Sequence, residues 1–348
     1  MLALRRRTAR QRGPGGEALS AEPLVRVRNL QAYFPVRKGI LQSVVAHVRA
    51  VDGVDLEIAP GETVGLVGES GCGKSTLGRS LVGLVAPTGG EIWFQGKPVS
   101  SRNGSRPKRL RQDMQIIFQD PFASLDPRMR VRDIVAEGLV IHGMGDRSDR
   151  SERVARILAR VGLRPEAGSH FPHEFSGGQR QRIGIARALV VEPSFVVADE
   201  PVSALDVSIQ SQVLNLLVEL KREFNLTYLF VAHNLAVVGY ISDRIAVMYL
   251  GKIVELAPAR ELFAHPQHPY TMALLSAIPQ PVPGQKGERI LLTGDVPSPV
   301  NPPSGCRFRT RCPIAKAICA EQEPPLVMKR DGHLAACHFA GTEIRTAA

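Results

Sequence analysis

The sequence predicts an α/β fold with a parallel sheet and a helical insertion. Short continuous apolar runs, typical of buried strands, occur in "ETVGLVGES", "MQIIFQD", "SFVVADEP" and "TYLFVAHN". Helical patterns separate these runs, and from about residue 131 to residue 189 the periodicity is helical throughout. Strands that alternate with helices in this way form parallel sheets through crossover connections.

The elements can be placed in order along the chain. Alternating residues in "LVRVRNLQAYF" and "VRAVDGVDLEI" predict two strands, with "PVRKGILQSVVAH" as an insertion in their hairpin. A helix is expected at Lys74–Val85, followed by a turn-rich stretch up to "MQIIFQD". Apolar residues three and four positions apart predict further helices in "DIVAEGLVIHGM", "RSERVARILARVGL", "GGQRQRIGIARALV" and "IQSQVLNLLVELKREF".

Composition divides the chain into three parts. Residues 1–22 are Arg-rich without the apolar region of a secretory signal, which indicates a disordered basic tail or a misplaced start codon. Residues 23–258 are expected to form the main domain, with a helical subdomain at about 120–190. Residues 259–348 are rich in proline and contain four cysteines, which predicts a separate small domain.

Bulk composition limits the function classes. Of 348 residues, 44% are hydrophobic and 22% are charged, which excludes a wholly disordered chain. No apolar run approaches the roughly 20 residues that cross a bilayer, so we expect no membrane span. The net charge of +11 is compatible with a nucleic acid, an anionic membrane surface or a phosphate ligand, and does not choose among them.

A glycine-rich loop follows the first continuous apolar run. The stretch "GESGCGKST", residues 68–76, satisfies G-x-x-x-x-G-K-S between a predicted strand and a predicted helix. Its backbone N–H groups can surround phosphate oxygens at the helix N-terminus. We expect Lys74 to reach the outer phosphates and Ser75 to bind Mg²⁺. The predicted nucleotide contacts are Gly68, Ser70, Gly71, Gly73, Lys74, Ser75 and Thr76.

Two acidic residues, Asp199 and Glu200, follow the apolar residues of "FVVADEP". Asp199 follows apolar residues at the carboxyl end of a predicted buried strand, where ligands of such sheets bind. It is expected to hold Mg²⁺ through water. Glu200 is placed to polarise the attacking water, although a solvated residue at a strand end is the alternative interpretation.

Further motifs resemble those of the ATP-binding cassette family over about residues 24–280. "FSGGQRQR" is similar to the family signature, with Ser176, Gly177, Gly178 and Gln179 at its centre. Taken alone, this stretch could be a helix N-cap serine with flexible glycines. Other family motifs follow in order and imply roles at the nucleotide: Phe34 stacks on adenine, Gln119 in "IIFQD" approaches Mg²⁺, "SALD" at 203–206 contacts the dimer partner and His233 acts in catalysis.

The resemblance implies a fold and a cofactor set. The fold is the P-loop NTPase cassette, which combines a RecA-like core with an antiparallel β subdomain and a helical subdomain, here followed by a small C-terminal cysteine-containing domain. The cofactors are ATP and Mg²⁺. Two such cassettes bind ATP head to tail, so the signature of one subunit faces the phosphates on the partner's P-loop.

The cassette family includes several classes of protein. Repair cassettes need long coiled-coil heptads between the motifs, ribosome-associated cassettes usually have two P-loops, and scaffold cassettes usually lack the glutamate that Glu200 supplies. This chain has no such heptads, a single P-loop and the glutamate, so a nucleic-acid partner is disfavoured. A nucleic-acid-associated ATPase is the alternative function. An importer ATPase on separate membrane subunits is therefore favoured.

Longer stretches resemble oligopeptide/dipeptide (and nickel) importer ATPases, in particular the second ATPase of such systems. They are "FQDPFASLDPRMRV", "DEPVSALDVSIQ", "HPQHPYTMALLSAIP" and "GCRFRTRCPIAKAIC". This resemblance implies a heterodimer with a second ATPase, two permease subunits and an extracytoplasmic peptide-binding protein. It also implies a peripheral location on the cytoplasmic face of the membrane.

Four cysteines lie close together in the C-terminal sequence. Cys306, Cys312, Cys319 and Cys337 could enclose Zn²⁺ or an iron–sulfur cluster. Short C-x-x-C pairs, the usual zinc pattern, are missing, and the resembled ATPases carry this cysteine pattern, in some members with a [4Fe–4S] cluster. We therefore expect a [4Fe–4S] cluster, with Zn²⁺ or reduced structural cysteines as the alternatives.

Overall fold

The computed structural model describes residues 22–40, 42–99, 107–278, 289–342 and 344. The expected basic tail lies outside the described residues, apart from Glu22. The strands are β1 (Val25–Lys38), β2 (Ser43–Ile58), β3 (Thr63–Val67), β4 (Gly89–Phe94), β5 (Lys97–Pro98), β6 (Met114–Ile117), β7 (Phe195–Asp199), β8 (Thr227–Val231), β9 (Arg244–Tyr249), β10 (Lys252–Pro258), β11 (Val327–Arg330) and β12 (His333–Ala335).

Helices follow β3, β6, β7 and β8 in the main sheet, and several consecutive helices form the insertion between β6 and β7. The helices are α1 (Lys74–Val82), α2 (Lys108–Asp113), α3 (Pro121–Ser124), α4 (Val131–Ile141), α5 (Arg147–Arg160), α6 (Gly177–Leu189), α7 (Val207–Phe224), α8 (Leu235–Ile241), α9 (Ala259–Ala264), α10 (Pro269–Ser276) and α11 (Ile318–Glu321). The predicted helix at Lys74–Val85 ends earlier, because Gly83 adopts a left-handed C-cap with φ 82°. No described helix has both the length and the apolar composition that crossing a bilayer demands.

The main sheet confirms the predicted α/β class. Its strand order is β11-β12-β10-β9-β3-β8-β7-β6, and the strands from β9 to β6 are parallel. Strands β3, β7 and β8 are buried along their whole length, as their continuous apolar sequences predicted. Since parallel strands end at one edge, the residues after β3, β7 and β8 lie side by side.

A hydrophobic core covers each face of this sheet. In β7, Val196 and Ala198 belong to the core formed with the helical insertion, while Phe195 and Val197 belong to the core under the smaller sheet. Alternate residues of a strand point to opposite faces, so one five-residue strand joins both cores. Helix α6 packs against α3, α4 and α5 in the helical insertion.

The smaller sheet is antiparallel, with the order β2-β1-β4-β5. The expected insertion in the first hairpin is wrong, because β1 and β2 stay paired to Lys38↔Ser43 and absorb most of it. The stretch predicted to be turn-rich contains β4, which pairs with β1 and buries Ile92 and Phe94. The sequence did not predict this strand, because it begins with two glycines and its apolar alternation is short.

The C-terminal region, for which the sequence predicted a separate small domain, pairs with the main sheet through one short strand. Strand β12 pairs with β10 through Glu255↔Ala335 and Leu256↔Leu334. Phe308 is buried against Tyr249 and Tyr270, with ring centroids 5.2 and 5.4 Å away. Strand β12 has only three residues, too few for a sequence period to reveal.

A buried carboxylate joins the C-terminal region to β10. Glu255 is fully buried, and its Oε1 lies 2.7 Å from Nε2 of His333 in β12. The same carboxylate accepts the backbone N–H groups of Gln267 at 2.7 Å and His268 at 2.9 Å. Burial lowers the pKa of His268 to about 4, so its neutral Nδ1 accepts the N–H of Tyr270 at the start of α10.

We predict that Glu255→Ala lowers the free energy of unfolding by about 3–5 kcal/mol, because it leaves buried donors without their acceptor. Glu323→Ala is the matched control, since it removes a half-exposed carboxylate that pairs with Lys252 on the same strand. The control should lose about 1 kcal/mol or less. Denaturant unfolding measures both values, and an equal loss in the two variants would contradict the prediction.

Candidate nucleotide-binding site

The loop between β3 and α1 has the backbone that phosphate binding requires. Gly73 has φ 109°, and a Cβ there would lie 1.9 Å from the carbonyl oxygen of Ala50. Only glycine fits this close approach. Ser70 and Gly71 are exposed at the outer side of the loop, and Lys74 begins α1. The loop N–H groups and the N-terminus of α1 thus form a site for anionic oxygens.

Lys74 is held inside this loop. Its side chain is buried, and its Nζ donates to the carbonyl oxygens of Gly68 at 2.8 Å and Glu69 at 2.9 Å. A buried ammonium needs such oxygen partners, and phosphate oxygens can serve in the same way.

Ser75 and Asp199 meet as the sequence predicted. The Ser75 Oγ donates to Asp199 Oδ1 at 2.7 Å, and Asp199 is fully buried at the end of β7. Asp199 Oδ2 lies 3.2 Å from Nη2 of Arg79 but accepts no hydrogen bond. A hydroxyl and a carboxylate with an unbonded oxygen fit the oxygen ligands that Mg²⁺ prefers. Sequence reasoning missed Arg79, which no motif marks.

Two other predicted site residues lie beside Glu200. Gln119 Nε2 donates to Glu200 Oε2 at 3.1 Å, and His233 Nδ1 lies 3.4 Å from the same oxygen. Glu200 has φ 48°, a strained conformation for a residue other than glycine. Its N–H donates to Val231 O in β8, which holds the strained turn in place. The carboxylate is mostly buried beside an exposed imidazole, an arrangement that can orient and deprotonate a water molecule.

The signature residues form the N-terminus of α6. Ser176 Oγ accepts the N–H of Gln179 at 3.4 Å, and Gln179 Oε1 accepts the N–H of Ser176 at 3.0 Å, which is a capping box. Ser176 is exposed. Within the described part of the chain, no hydrogen bond or ion pair joins Ser176, Gly177 or Gly178 to the loop at 68–76. The helix N-terminus therefore offers an anion site on the protein surface.

Phe34 and its neighbour Tyr33 differ in their surroundings. Phe34 is 41% exposed on β1, so its ring face is accessible. The Tyr33 hydroxyl donates to Asp52, and burial together with this hydrogen bond raises the pKa of Tyr33 to about 12. Of the two rings, Phe34 is the one free to stack on a ligand.

The four C-terminal thiols approach one another without forming a metal-ligand group. Burial, and then the proximity of the other thiols, raises the pKa of Cys306 and Cys312 to about 11. The pKa of Cys337 is raised for the same reasons. Among the described residues, no three His, Cys, Asp or Glu side chains are placed to hold a metal ion. The raised pKa values favour the protonated form of Cys306, Cys312 and Cys337 at neutral pH.

Comparison with known proteins identifies the family. The ABC transporter profile matches residues 51–203, and the profile "Oligopeptide/dipeptide transporter, C-terminal region" matches residues 254–319. The chain is 53% identical to the oligopeptide transport ATP-binding protein AppF of Bacillus subtilis, over 92% of this chain and 99% of that protein. The chain belongs to the ABC transporter family. It is an ATPase of that family.

Other relatives and solved structures agree. The chain is 47% identical to the dipeptide transport ATP-binding protein DppF of Haemophilus influenzae, over 90% of this chain and 96% of that protein. Among solved structures, it resembles cbiO1 of Clostridium perfringens with a TM-score of 0.59 and 31% identity, over 70% of this chain and 91% of that one. An ATP-binding cassette dimer in a post-hydrolysis state with ADP and Pi has the same TM-score at 28% identity, over 68% of this chain and 99% of that one.

We predict that Glu200→Gln retains ATP binding and lowers hydrolysis on the order of a hundredfold or more, because the amide cannot accept a proton from water. Steady-state phosphate release and nucleotide binding measure the two effects. Glu219→Gln removes an exposed carboxylate on α7 and should leave both unchanged. Full turnover by Glu200→Gln would show that another group activates the water.

Proposed function

We propose that this ATPase is the nucleotide-binding subunit of an importer of dipeptides or oligopeptides. One observation supports the cargo class most directly: the match to the oligopeptide/dipeptide transporter C-terminal region lies in the same chain as the ATP site. The full-length similarity to AppF and DppF supports the same conclusion. Import of nickel or another small solute is the alternative, since the cargo is selected by other subunits.

In the proposed mechanism, the loop at 68–76 surrounds the phosphates and Lys74 contacts the outer ones. Ser75, Asp199 and Gln119 would hold Mg²⁺, which neutralises phosphate charge when bound. Glu200 Oε2 accepts a proton from the attacking water. His233 and Gln119, both near that oxygen, orient the carboxylate and the water. Phe34 supplies the stacking surface for adenine.

We further propose that Ser176, Gly177 and Gly178 act on the ATP of a partner subunit. The exposed N-terminus of α6 supports this, because it can bind an anion and, among the described residues, it has no hydrogen bond or ion pair to its own chain's phosphate loop. Two subunits arranged head to tail would then enclose two nucleotides. The partner is a second ATPase subunit, and ATP stabilises the dimer until hydrolysis removes the γ-phosphate.

The matching prediction separates the two phosphate motifs. Ser176→Arg or Gly177→Asp should leave MgATP affinity of the isolated subunit within about twofold and abolish ATP-dependent dimerisation, because each change obstructs the signature alone. Lys74→Ala is the complementary control and should lose nucleotide affinity itself. Nucleotide titration and size-exclusion chromatography with ATP, using Glu200→Gln to prevent turnover, give the two measurements. Loss of monomer affinity in Ser176→Arg would contradict the assignment.

The permease contact is proposed at the segment after Gln119. Phe122 in α3 is 60% exposed and lies under the guanidinium of Arg180, 3.9 Å from its ring centroid. Ile141 at the end of α4 is 65% exposed in the same helical insertion. Such apolar side chains can receive a permease helix, and Gln119 joins their segment to Glu200. The working complex contains two permeases and an extracytoplasmic peptide-binding protein, with this subunit peripheral on the cytoplasmic face.

We also propose that Cys306, Cys312, Cys319 and Cys337 bind a [4Fe–4S] cluster, with Zn²⁺ as the alternative ligand. The mutual electrostatic influence of the four thiols supports this proposal. Ligation requires the thiols to lose their protons. No step of ATP hydrolysis depends on this centre.

Metal content tests that proposal. Anaerobically purified protein should contain about four irons per chain with visible absorption. Cys312→Ser and Cys319→Ser should lose both, whereas Cys72→Ser, in the phosphate loop, should keep both. Stoichiometric zinc in a colourless protein would support the same ligands with the alternative metal. Protein with neither iron nor zinc would leave the cysteines as reduced structural residues.

A further inference from the structure

We propose that the C-terminal region positions the phosphate-binding loop, with Arg311 acting through Glu69. Arg311 Nη1 and Nη2 donate to the two carboxylate oxygens of Glu69 at 2.7 and 3.1 Å. This bidentate pair joins residues 242 positions apart. Arg311 is therefore a positioning residue: it contacts the loop and not the reacting atoms. The inference rests on the proposed assignment of the loop at 68–76 to the nucleotide.

Every polar group of Glu69 is held in place. Its N–H donates to the hydroxyl of Tyr270 in α10 at 2.8 Å, and its carbonyl accepts from Lys74 Nζ at 2.9 Å. Arg311 holds the side chain. Two of these three partners come from the region beyond β10, which the P-loop motif does not include.

The surroundings of Arg311 favour a fixed geometry. Its side chain is 8% exposed, and Glu69 is the one carboxylate that pairs with it among the described residues. Its guanidinium also lies 6.0 Å from the centroid of the Tyr249 ring. Planar bidentate pairing in such an environment fixes direction as well as distance.

A second arginine of the same segment bonds two residues outside the loop, one of which adjoins a residue that contacts it. Arg307 bonds the carboxylate of Asp52 and the carbonyl of Leu250. Gly251, which follows Leu250 in the chain, donates its N–H to the carbonyl oxygen of Cys72 in the loop at 2.9 Å. The short segment from Arg307 to Arg311 thus braces the loop near both Glu69 and Cys72.

Bracing of this kind affects nucleotide affinity. A loop that is already in its binding conformation loses less conformational entropy when the phosphates arrive. Releasing Glu69 should therefore weaken ATP and ADP binding, while the chemical step at Glu200 keeps its groups. The expected kinetic pattern is a raised KM for ATP with kcat nearly unchanged at saturation.

The experiment measures the Kd for MgATP of the isolated full-length chain. Arg311→Ala should raise this Kd about tenfold, in the usual range of coupling between sites. Arg311→Lys should have an intermediate effect, because an ammonium cannot replace the bidentate contact. Arg309→Ala is the matched control. Among the described residues the Arg309 guanidinium hydrogen-bonds Ser304 alone, so the Kd of this variant should stay within about twofold of wild type.

A double-mutant cycle tests whether Arg311 acts on the nucleotide affinity through Glu69. Once Arg311 is alanine, the further change Glu69→Ala should have little effect on the Kd, since both act through one contact. Additive effects, or equal Kd values for Arg311→Ala and Arg309→Ala, would overturn the proposal. If Arg311→Ala does not fold, Glu69→Gln and Arg311→Lys carry the test. Lys74→Ala separates the two assignments, because normal ATP affinity in that variant would overturn the loop assignment itself.

Discussion

The candidate site depends on one constraint: β3, β7 and β8 are parallel neighbours that end at the same edge of the main sheet. Each strand is buried along its whole length, and the charged and polar residues of the candidate site lie at or just after the strand ends. This places the phosphate loop, the Asp199–Glu200 pair and His233 together without any direct sequence relation. The strain at Glu200, with φ 48°, is maintained because its N–H is paired with β8.

The same edge receives support from the C-terminal region. Strand β12 extends the main sheet next to β10, and the buried Glu255 carboxylate fixes β12 and the start of α10 to it. Helix α10 carries Tyr270, whose hydroxyl accepts the N–H of Glu69. A continuous chain of contacts therefore runs from the outer edge of the sheet to the phosphate loop. The C-terminal region thus contacts the candidate site directly, through Tyr270 and Arg311.

The sequence predicted those parts whose cause is local. Continuous apolar runs gave β3, β7 and β8, and the glycines at 68–73 indicated the loop because only glycine adopts its backbone. The capping box at Ser176 and Gln179 is likewise a local pattern, and the sequence placed a helix there. The contacts of Arg79, Arg307 and Arg311 were missed. They join segments far apart in the chain, and nothing in the sequence distinguishes these arginines from others until the fold brings each one to a carboxylate. Strand β4 was missed because its alternation is too short beside paired glycines.

In the dimer proposed above, α6 of each subunit completes the nucleotide site of the other. The exposed N-terminus of α6 and the phosphate loop with Lys74 both present positively polarised groups to anionic oxygens. Both surfaces are satisfied when ATP lies between two subunits, so ATP binding and association share one free energy. A residue that changes the conformation of the phosphate loop therefore also changes the affinity of the two subunits for each other. The ion pair between Arg311 and Glu69 then acts on the dimer as well as on the nucleotide, although neither residue belongs to the signature that the partner meets.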